Sequence, residues 1–269
     1  MPILFDYHLH STHSGDGLST DRVQVLAAID RGLKEICFTE HLDIDFPVNV
    51  CFQLHLDTYQ QDIRALAEEF KDQITIKCGV EVGNQKHRGD IVAKTRQWLK
   101  GYSFDYVLSS VHWLSGCDYH SPEGWQGVTR SQVFREYLSA LYQCALDYTD
   151  FNCLGHITYY SRYCPLEEKE MVLHDAPEEL EALFKLLISR GQGIEINTSV
   201  YDKSGFFLPD LDIVRFYRQL GGEIISIGSD SHIGVRTGAN IHAGLQMLKA
   251  AGFDHVCTFT NRQPVFNRI

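Results

Sequence analysis

An α/β fold, with parallel strands closed into a barrel, is what this sequence predicts, and three observations carry the prediction. Short apolar runs alternate with amphipathic stretches along the whole chain, the pattern of parallel strands with helices outside them. Seven strand–helix units can be counted, with a possible final strand, which suits a closed barrel better than an open sheet. A doubly wound open sheet would place a G-x-G-x-x-G turn at its switch point, and the chain contains none. With no linker-like, low-complexity or repeated segment, residues 1–269 read as one domain.

Taken in order, ILFDYHLH is a strand leading to a helix in TDRVQVLAAIDRG. EICFTEH is the second strand; after a loop, DTYQQDIRALAEEF keeps Tyr59, Ile63, Leu66, Ala67 and Phe70 on one helical face. ITIKCGVEV leads to DIVAKTRQWLKG, and DYVLSSVHW to a longer helix near 130–148. NCLGHI precedes APEELEALFKLLISRG, where Leu180, Leu183, Phe184, Leu187 and Ile188 line one side and Pro177 suits the first helical turn. GIEINTS and IISIGSDSH complete the seven, each followed by a helix, and VCTFT is the possible last strand.

Hydrophobic residues make up 44% and charged residues 22% of the 269, the balance of a globular chain able to bury a large core. No apolar run approaches the ~20 residues that span a bilayer, and MPILFDYHLH lacks the basic segment and long apolar core of a signal peptide. A cytoplasmic location and no membrane partner are therefore expected. The eight cysteines (Cys37, Cys51, Cys78, Cys117, Cys144, Cys153, Cys164 and Cys257) contain no C-x-x-C pair. They read as small buried hydrophobes in a reducing compartment rather than as disulfides or zinc ligands. A formal charge of −11 argues against a nucleic-acid partner, because backbone phosphates call for stripes of lysine and arginine. Any anionic substrate must find its positive charge inside a site.

In a barrel of parallel strands the active site lies at the C-terminal mouth. DYHLHSTHSGDG brings His8 and His10 there, and their shared parity sends both side chains off one face of the first strand. The second strand ends in TEH with His41, the third in GVEV with Glu81, and the fourth in SSVHW with His112. The fifth ends in GHI with His156 and the seventh in GSDSH with Asp230 and His232. One buried histidine is ordinarily a hydrogen-bonded core residue. Six strand ends delivering imidazole or carboxylate to one place point to a metal site instead. Crowded and desolvated, such groups are costly unless a cation joins them, and they are standard ligands of Zn, Mn and Fe. Asp16, in the GDG turn, either adds a short carboxylate to the site or serves the turn alone. His13 shares that loop but lies off the strand pattern, whereas His55, His87, His120, His174, His242 and His255 read as solvated or locally bonded.

In this order and at these strand ends, the motifs resemble the polymerase and histidinol phosphatase (PHP) family, from about residue 5 to residue 235. The resemblance implies a distorted seven-stranded (β/α) TIM-like barrel holding two or three divalent metal ions (Zn, Mn or Fe). It implies one metal on His8, His10, Glu81 and Asp230, a second on Glu81, His112 and His156, and a third on Asp16, His41 and His232. Family relatives use histidine or aspartate where Asp16 falls. Within the family, TEH followed by LDIDFP, together with SVHW, is most similar to members that act in histidine biosynthesis. Those hydrolyse L-histidinol phosphate to L-histidinol and inorganic phosphate. The implied reaction is attack of a metal-bridging hydroxide on phosphorus, with Asp16, Glu81 and His232 catalytic; Asp16, His232 and water remain alternatives for the general acid.

Arg162, six residues after His156, is the expected phosphate clamp, because a guanidinium grips phosphate with a planar fork. Arg88 and Arg236 are further candidates, and Asn197 and Ser199 either contact the substrate or make a turn. Loops 43–57 and 113–130 carry Asp43, Asp45, Trp113, Asp118 and Tyr119, acids and aromatics suited to an amine and an imidazole. Three other readings compete. The same centre would serve another small phosphate ester or phosphotyrosine. A structural metal-binding module predicts degraded ligands, and hydrolysis of C–N bonds expects a lysine-like bridging ligand. The expected partner is a small phosphate ester, and the sequence leaves the oligomeric state open.

Overall fold

The computed structural model describes residues 4–47, 52–114 and 116–269. In chain order, strand β1 (Phe5–Leu9) is followed by helix α1 (Asp21–Asp30), β2 (Glu35–Phe38), β3 (His41–Asp43) and α2 (Leu56–Glu69). Next come β4 (Thr75–Gly83), α3 (Gly89–Trp98), β5 (Tyr106–Ser110), α4 (Arg130–Asp147) and β6 (Cys153–Leu154). The chain continues through α5 (Pro177–Ser189), β7 (Gly193–Asn197), the one-turn α6 (Tyr201–Ser204), α7 (Leu211–Gln219) and β8 (Ile225–Gly228). It ends with α8 (Ile241–Ala250), β9 (His255–Thr260) and β10 (Gln263–Arg268).

Seven parallel strands run round the barrel in the order β1-β2-β4-β5-β6-β7-β8, with β3 also paired to β4. First and last strands meet at the mouth, where the His10 N–H donates to the Ser231 carbonyl (2.9 Å) and the Asp230 N–H to that of His8 (2.8 Å). The barrel is thus nearly closed, as the alternation predicted. Helical stripes behave as read: Tyr59, Ile63 and Leu66 of α2, and Leu180, Leu183, Phe184 and Leu187 of α5, are buried against the strands. Local caps mark the helix starts. Thr129 and Gln132 form a reciprocal capping box on α4, and Pro177 opens α5.

Two expectations change. VCTFT does not join the barrel; β9 pairs antiparallel with β10 in a separate hairpin. Its turn is tied to Asp105 and Asn152, just before β5 and β6, so the hairpin covers the N-terminal end of the strands. EICFTEH is two strands rather than one. The Glu40 carboxylate is drawn to the Ser11 N–H and hydroxyl and to the Ser14 hydroxyl, so β2 stops at Phe38 and β3 begins at His41. Cys51 lies outside the described residues, and the other seven cysteines are all free. Among the described residues no helix is long and apolar enough to cross a membrane.

Candidate metal centre

At the mouth, β1 carries a one-residue register slip against β2 between Asp6 and Leu9, a bulge of the kind that re-aims side chains beside active sites. Tyr7 packs toward the closed end on Tyr106 and Phe259. The next residue, His8, reaches Glu81, Glu195 and Asp230. His10 lies beside it, ring centroids 5.0 Å apart, and stacks between His41 (4.1 Å) and His232 (4.3 Å). Gly17 and Gly228 make this approach possible. A Cβ on Gly17 would fall 1.7 Å from the Ser11 carbonyl oxygen, in the turn that carries Asp16. One on Gly228 would lie 2.2 Å from the His8 Cβ.

Glu81 stands at the centre, fully buried. Its Oε2 is 3.2 Å from His8 Nε2, 3.5 Å from His10 Nε2 and 3.1 Å from His41 Nδ1. Its Oε1 is 3.1 Å from both His112 Nε2 and His156 Nε2 and accepts from the Ser110 hydroxyl at 2.6 Å. The parallel register of β3 against β4, which sets His41 opposite Glu81, positions one of these contacts. His112 and His156 lie two residues beyond the ends of β5 and β6. On the outer side, Asp16 Oδ2 is 3.2 Å from His232 Nε2 and 3.7 Å from His41 Nε2. All nine residues of the predicted ligand set therefore converge.

Donor atoms of His8, His10 and Asp230, of His10, His41 and His232, and of His41, Glu81 and His112 each lie within 4.8 Å of one another. Several of these groups are buried without a hydrogen-bond partner: His10 Nε2, His41 Nδ1, His156 Nδ1, Asp16 Oδ1 and Asp43 Oδ2. Native structures rarely leave such atoms unsatisfied, so the donor set fits divalent cations. Electrostatics agree. Burial alone would raise the Glu81 and Asp230 carboxyls; the imidazoles around Glu81, and Arg162 with His8 and His232 around Asp230, hold both well below the usual range. Burial and the neighbouring imidazoles His41, His232 and His8 push His10 well down, leaving it neutral with a free lone pair, as a ligand must be.

A cavity of about 200 Å³ opens over this cluster, walled by Phe46, Phe52, His120, Tyr159, Arg162 and Tyr163 in addition to Asp43 and candidate ligands. His120, read from sequence as an ordinary loop histidine, is part of that wall, stacked on Trp113 at 9° between planes. Arg162 sits over the Tyr159 ring and donates to Asp230 Oδ2 (2.6 Å) and Ser199 Oγ (2.8 Å), while its Nε has no partner. Asn197 is fully buried and donates to Asp230 at 3.2 Å, so it and Ser199 reach the centre through Asp230 and Arg162. Arg88 is taken up by Asp90 and Asp45, and Arg236 by Asp202. His13 pairs with Asp21 and Asp62 outside the cluster.

Two buried carboxylates had no assigned role in the sequence reading of the centre. Asp43 accepts from His112 Nδ1 at 2.8 Å and lies 3.5 Å from His41 Nδ1. Burial raises its carboxyl, but His112 and His41 outweigh that and lower it to about 2, while His112 rises to about 10 despite its own burial. Glu195 lies on the far side of His8. Asp43 stands two residues after His41, in TEHLD, whereas Glu195 follows no strand-end histidine motif and its one signal was an acid inside an otherwise apolar strand, in GIEIN.

A PHP domain matches residues 6–199. The chain is 37% identical over 259 residues to a histidinol-phosphatase of Lactococcus lactis, covering 95% of this chain and 94% of that one. A crystal structure of histidinol phosphate phosphatase from Lactococcus lactis, complexed with zinc, L-histidinol and phosphate, superposes with a TM-score of 0.88 at 34% identity, covering 98% of this chain and all of that one. A second solved structure, from Listeria monocytogenes, shares the fold at 18% identity with a TM-score of 0.75, covering 89% of this chain and 99% of that one. With its motifs gathered at one barrel mouth and the match spanning most of its length, the chain belongs to the PHP domain family.

Proposed function

We infer that this chain is a metal-dependent phosphomonoesterase that hydrolyses L-histidinol phosphate to L-histidinol and inorganic phosphate. The observation that carries the reading is the convergence of nine imidazole and carboxylate side chains, several with unsatisfied buried atoms, beneath a cavity edged by an arginine. The similar Lactococcus lactis protein, crystallised with zinc, L-histidinol and phosphate, supports the substrate. His8, His10, Glu81 and Asp230 would hold one ion, Glu81, His112 and His156 a second, and Asp16, His41 and His232 a third. Divalent ions bound there supply Lewis acidity toward phosphate oxygens and lower the pKa of water.

The chain's own groups do the rest. Arg162 places a half-buried guanidinium at the cavity wall, and its unpartnered Nε–H is a ready donor to a phosphate oxygen. With only the first two ions bound, Asp16 and His232, in contact at 3.2 Å and the most exposed of the set, could hold a proton for the departing alkoxide, with water as the alternative donor. Phe46, Phe52, Tyr159 and Tyr163 exclude water around the reacting ester. The scattered, mostly buried cysteines suit a cytoplasmic enzyme, and with no linker-like segment residues 1–269 read as one domain.

Protein purified without chelator should contain two to three equivalents of Zn, Mn or Fe by elemental analysis. It should release inorganic phosphate from L-histidinol phosphate far faster than from O-phosphotyrosine or a nucleoside monophosphate. Faster turnover of either alternative would reassign the substrate, and metal content without any phosphate release would favour a structural module.

A further inference from the structure

Strand β7 supplies none of the proposed metal ligands, yet it carries the best-placed carboxylate outside the centre. Glu195, only 1% exposed, uses its two oxygens on two different strand ends. Oε1 takes His8 Nδ1 at 2.5 Å, and Oε2 accepts the backbone N–H of His156 at 3.0 Å. A buried carboxylate is costly unless both oxygens are engaged. Here each oxygen meets one donor from a different proposed ligand.

We propose that Glu195 is a positioning residue that sets the tautomer of His8 and pins the backbone of His156. The proposal rests on the reading that these two histidines hold metal. A carboxylate only accepts, so the proton between Glu195 and His8 sits on Nδ1, and in the neutral ring the lone pair is then on Nε2. Nε2 is the atom that faces Glu81 Oε2 (3.2 Å) and Asp230 Oδ1 (3.7 Å). His156 has a positive φ of 22°, uncommon for a residue with a side chain, and the Glu195 contact is what engages its amide there. Gly228 preserves this geometry, since a Cβ at that position would lie 2.8 Å from Glu195 Oε1 as well as against His8.

Glu195→Gln is a sharp test because an amide cannot accept at both ends. The backbone N–H of His156 is an obligatory donor, so the amide oxygen stays with it and the NH₂ turns toward His8. His8 Nδ1 must then accept, its proton moves to Nε2, and the lone pair aimed at the centre is lost. Zinc affinity, measured by competition with a chromophoric chelator, is expected to fall about 10–100-fold, the range for loss of a partner that orients a ligating histidine. In the metal-free proteins, at a pH high enough to leave a single proton on the ring, ¹⁵N imidazole spectra should show His8 switched from the Nδ1–H form of wild type to the Nε2–H form of the variant, a change that a purely structural role would not produce. Unchanged zinc affinity together with an unchanged tautomer would overturn the proposal. Wild-type protein that takes up no zinc would instead remove the metal reading on which it stands. Should the variant fail to fold, the His8 signal of unaltered metal-free protein at that same high pH, assigned by its loss in His8→Asn, decides the matter: an Nε2–H form there also overturns it.

Discussion

The two ends of this barrel are both buried and yet chemically opposite. At the closed end Tyr7 meets Tyr106 edge to face with Phe259 tilted against both, and their polar atoms are all answered: the Tyr7 hydroxyl by Glu35 and the Phe259 backbone, that of Tyr106 by Ser226 at 2.8 Å. At the mouth the same strands end in imidazoles and carboxylates. Of the thirteen buried side-chain polar atoms without a partner among the described residues, six belong to His10, Asp16, His41, Asp43, His156 and Arg162. A self-satisfied end serves stability. An end left with open donors and lone pairs is built to be completed by something from outside, and its geometry says that this is cationic below and anionic above.

The strongest way to break this contrast is His8→Ala. Phosphate release from L-histidinol phosphate should drop by about 10³-fold or more, since a centre that lowers the pKa of water is dismantled. The melting temperature of the metal-free protein should stay within a few degrees of wild type. Retained turnover would mean that the mouth cluster is not the reacting centre. At the closed end the effects should be reversed. Tyr106→Phe removes the hydrogen bond to Ser226 at a cost of about 1 kcal/mol, lowering the melting temperature by about 2–4 °C. Turnover should be nearly unchanged, and a tenfold loss there would show the two ends to be coupled.

A third region sharpens the comparison from the side of charge. Glu170 stands near Asp210 and Asp212, with Arg130 the cation that acts against them. Burial first, then the two aspartates, raise its carboxyl to about 7. The folded protein thus keeps a proton that the unfolded chain gives up near pH 4.3, and stability falls as pH climbs from there to about 7. Glu170→Gln should therefore melt higher than wild type at pH 8 and equally at pH 4. The effect will be the smallest of the three, because the group is only partly buried; equal melting at both values would remove the raised carboxyl.

Much of this was legible in the chain. Alternating runs gave the barrel because a strand's period of two and a helix's of 3.6 are local properties. Eight of the nine candidate ligands were legible for the same reason: each sits at or just past a strand end, and parallel strands bring such ends to one rim; Asp16, in the turn after β1, joined them only through the family resemblance. Asp43 and Glu195 were not assigned to the centre, since their partners lie 69 and 187 residues away and nothing local marks the pairing. Arg162 was read as a phosphate clamp, while its second partner, Asp230, is 68 residues distant. The division of β2 from β3 depends on Glu40 reaching Ser11 and Ser14, 29 and 26 residues away.

By itself, then, the sequence determined which kinds of atom stand at the mouth, because side-chain chemistry and strand parity are written residue by residue. Only the tertiary structure decided which nitrogen of each imidazole faces inward, which carboxylates grip ligands from behind, and that β9 and β10 leave the barrel to seal its other end. Those choices depend on contacts between segments remote along the chain, and such contacts exist only once the strands have packed.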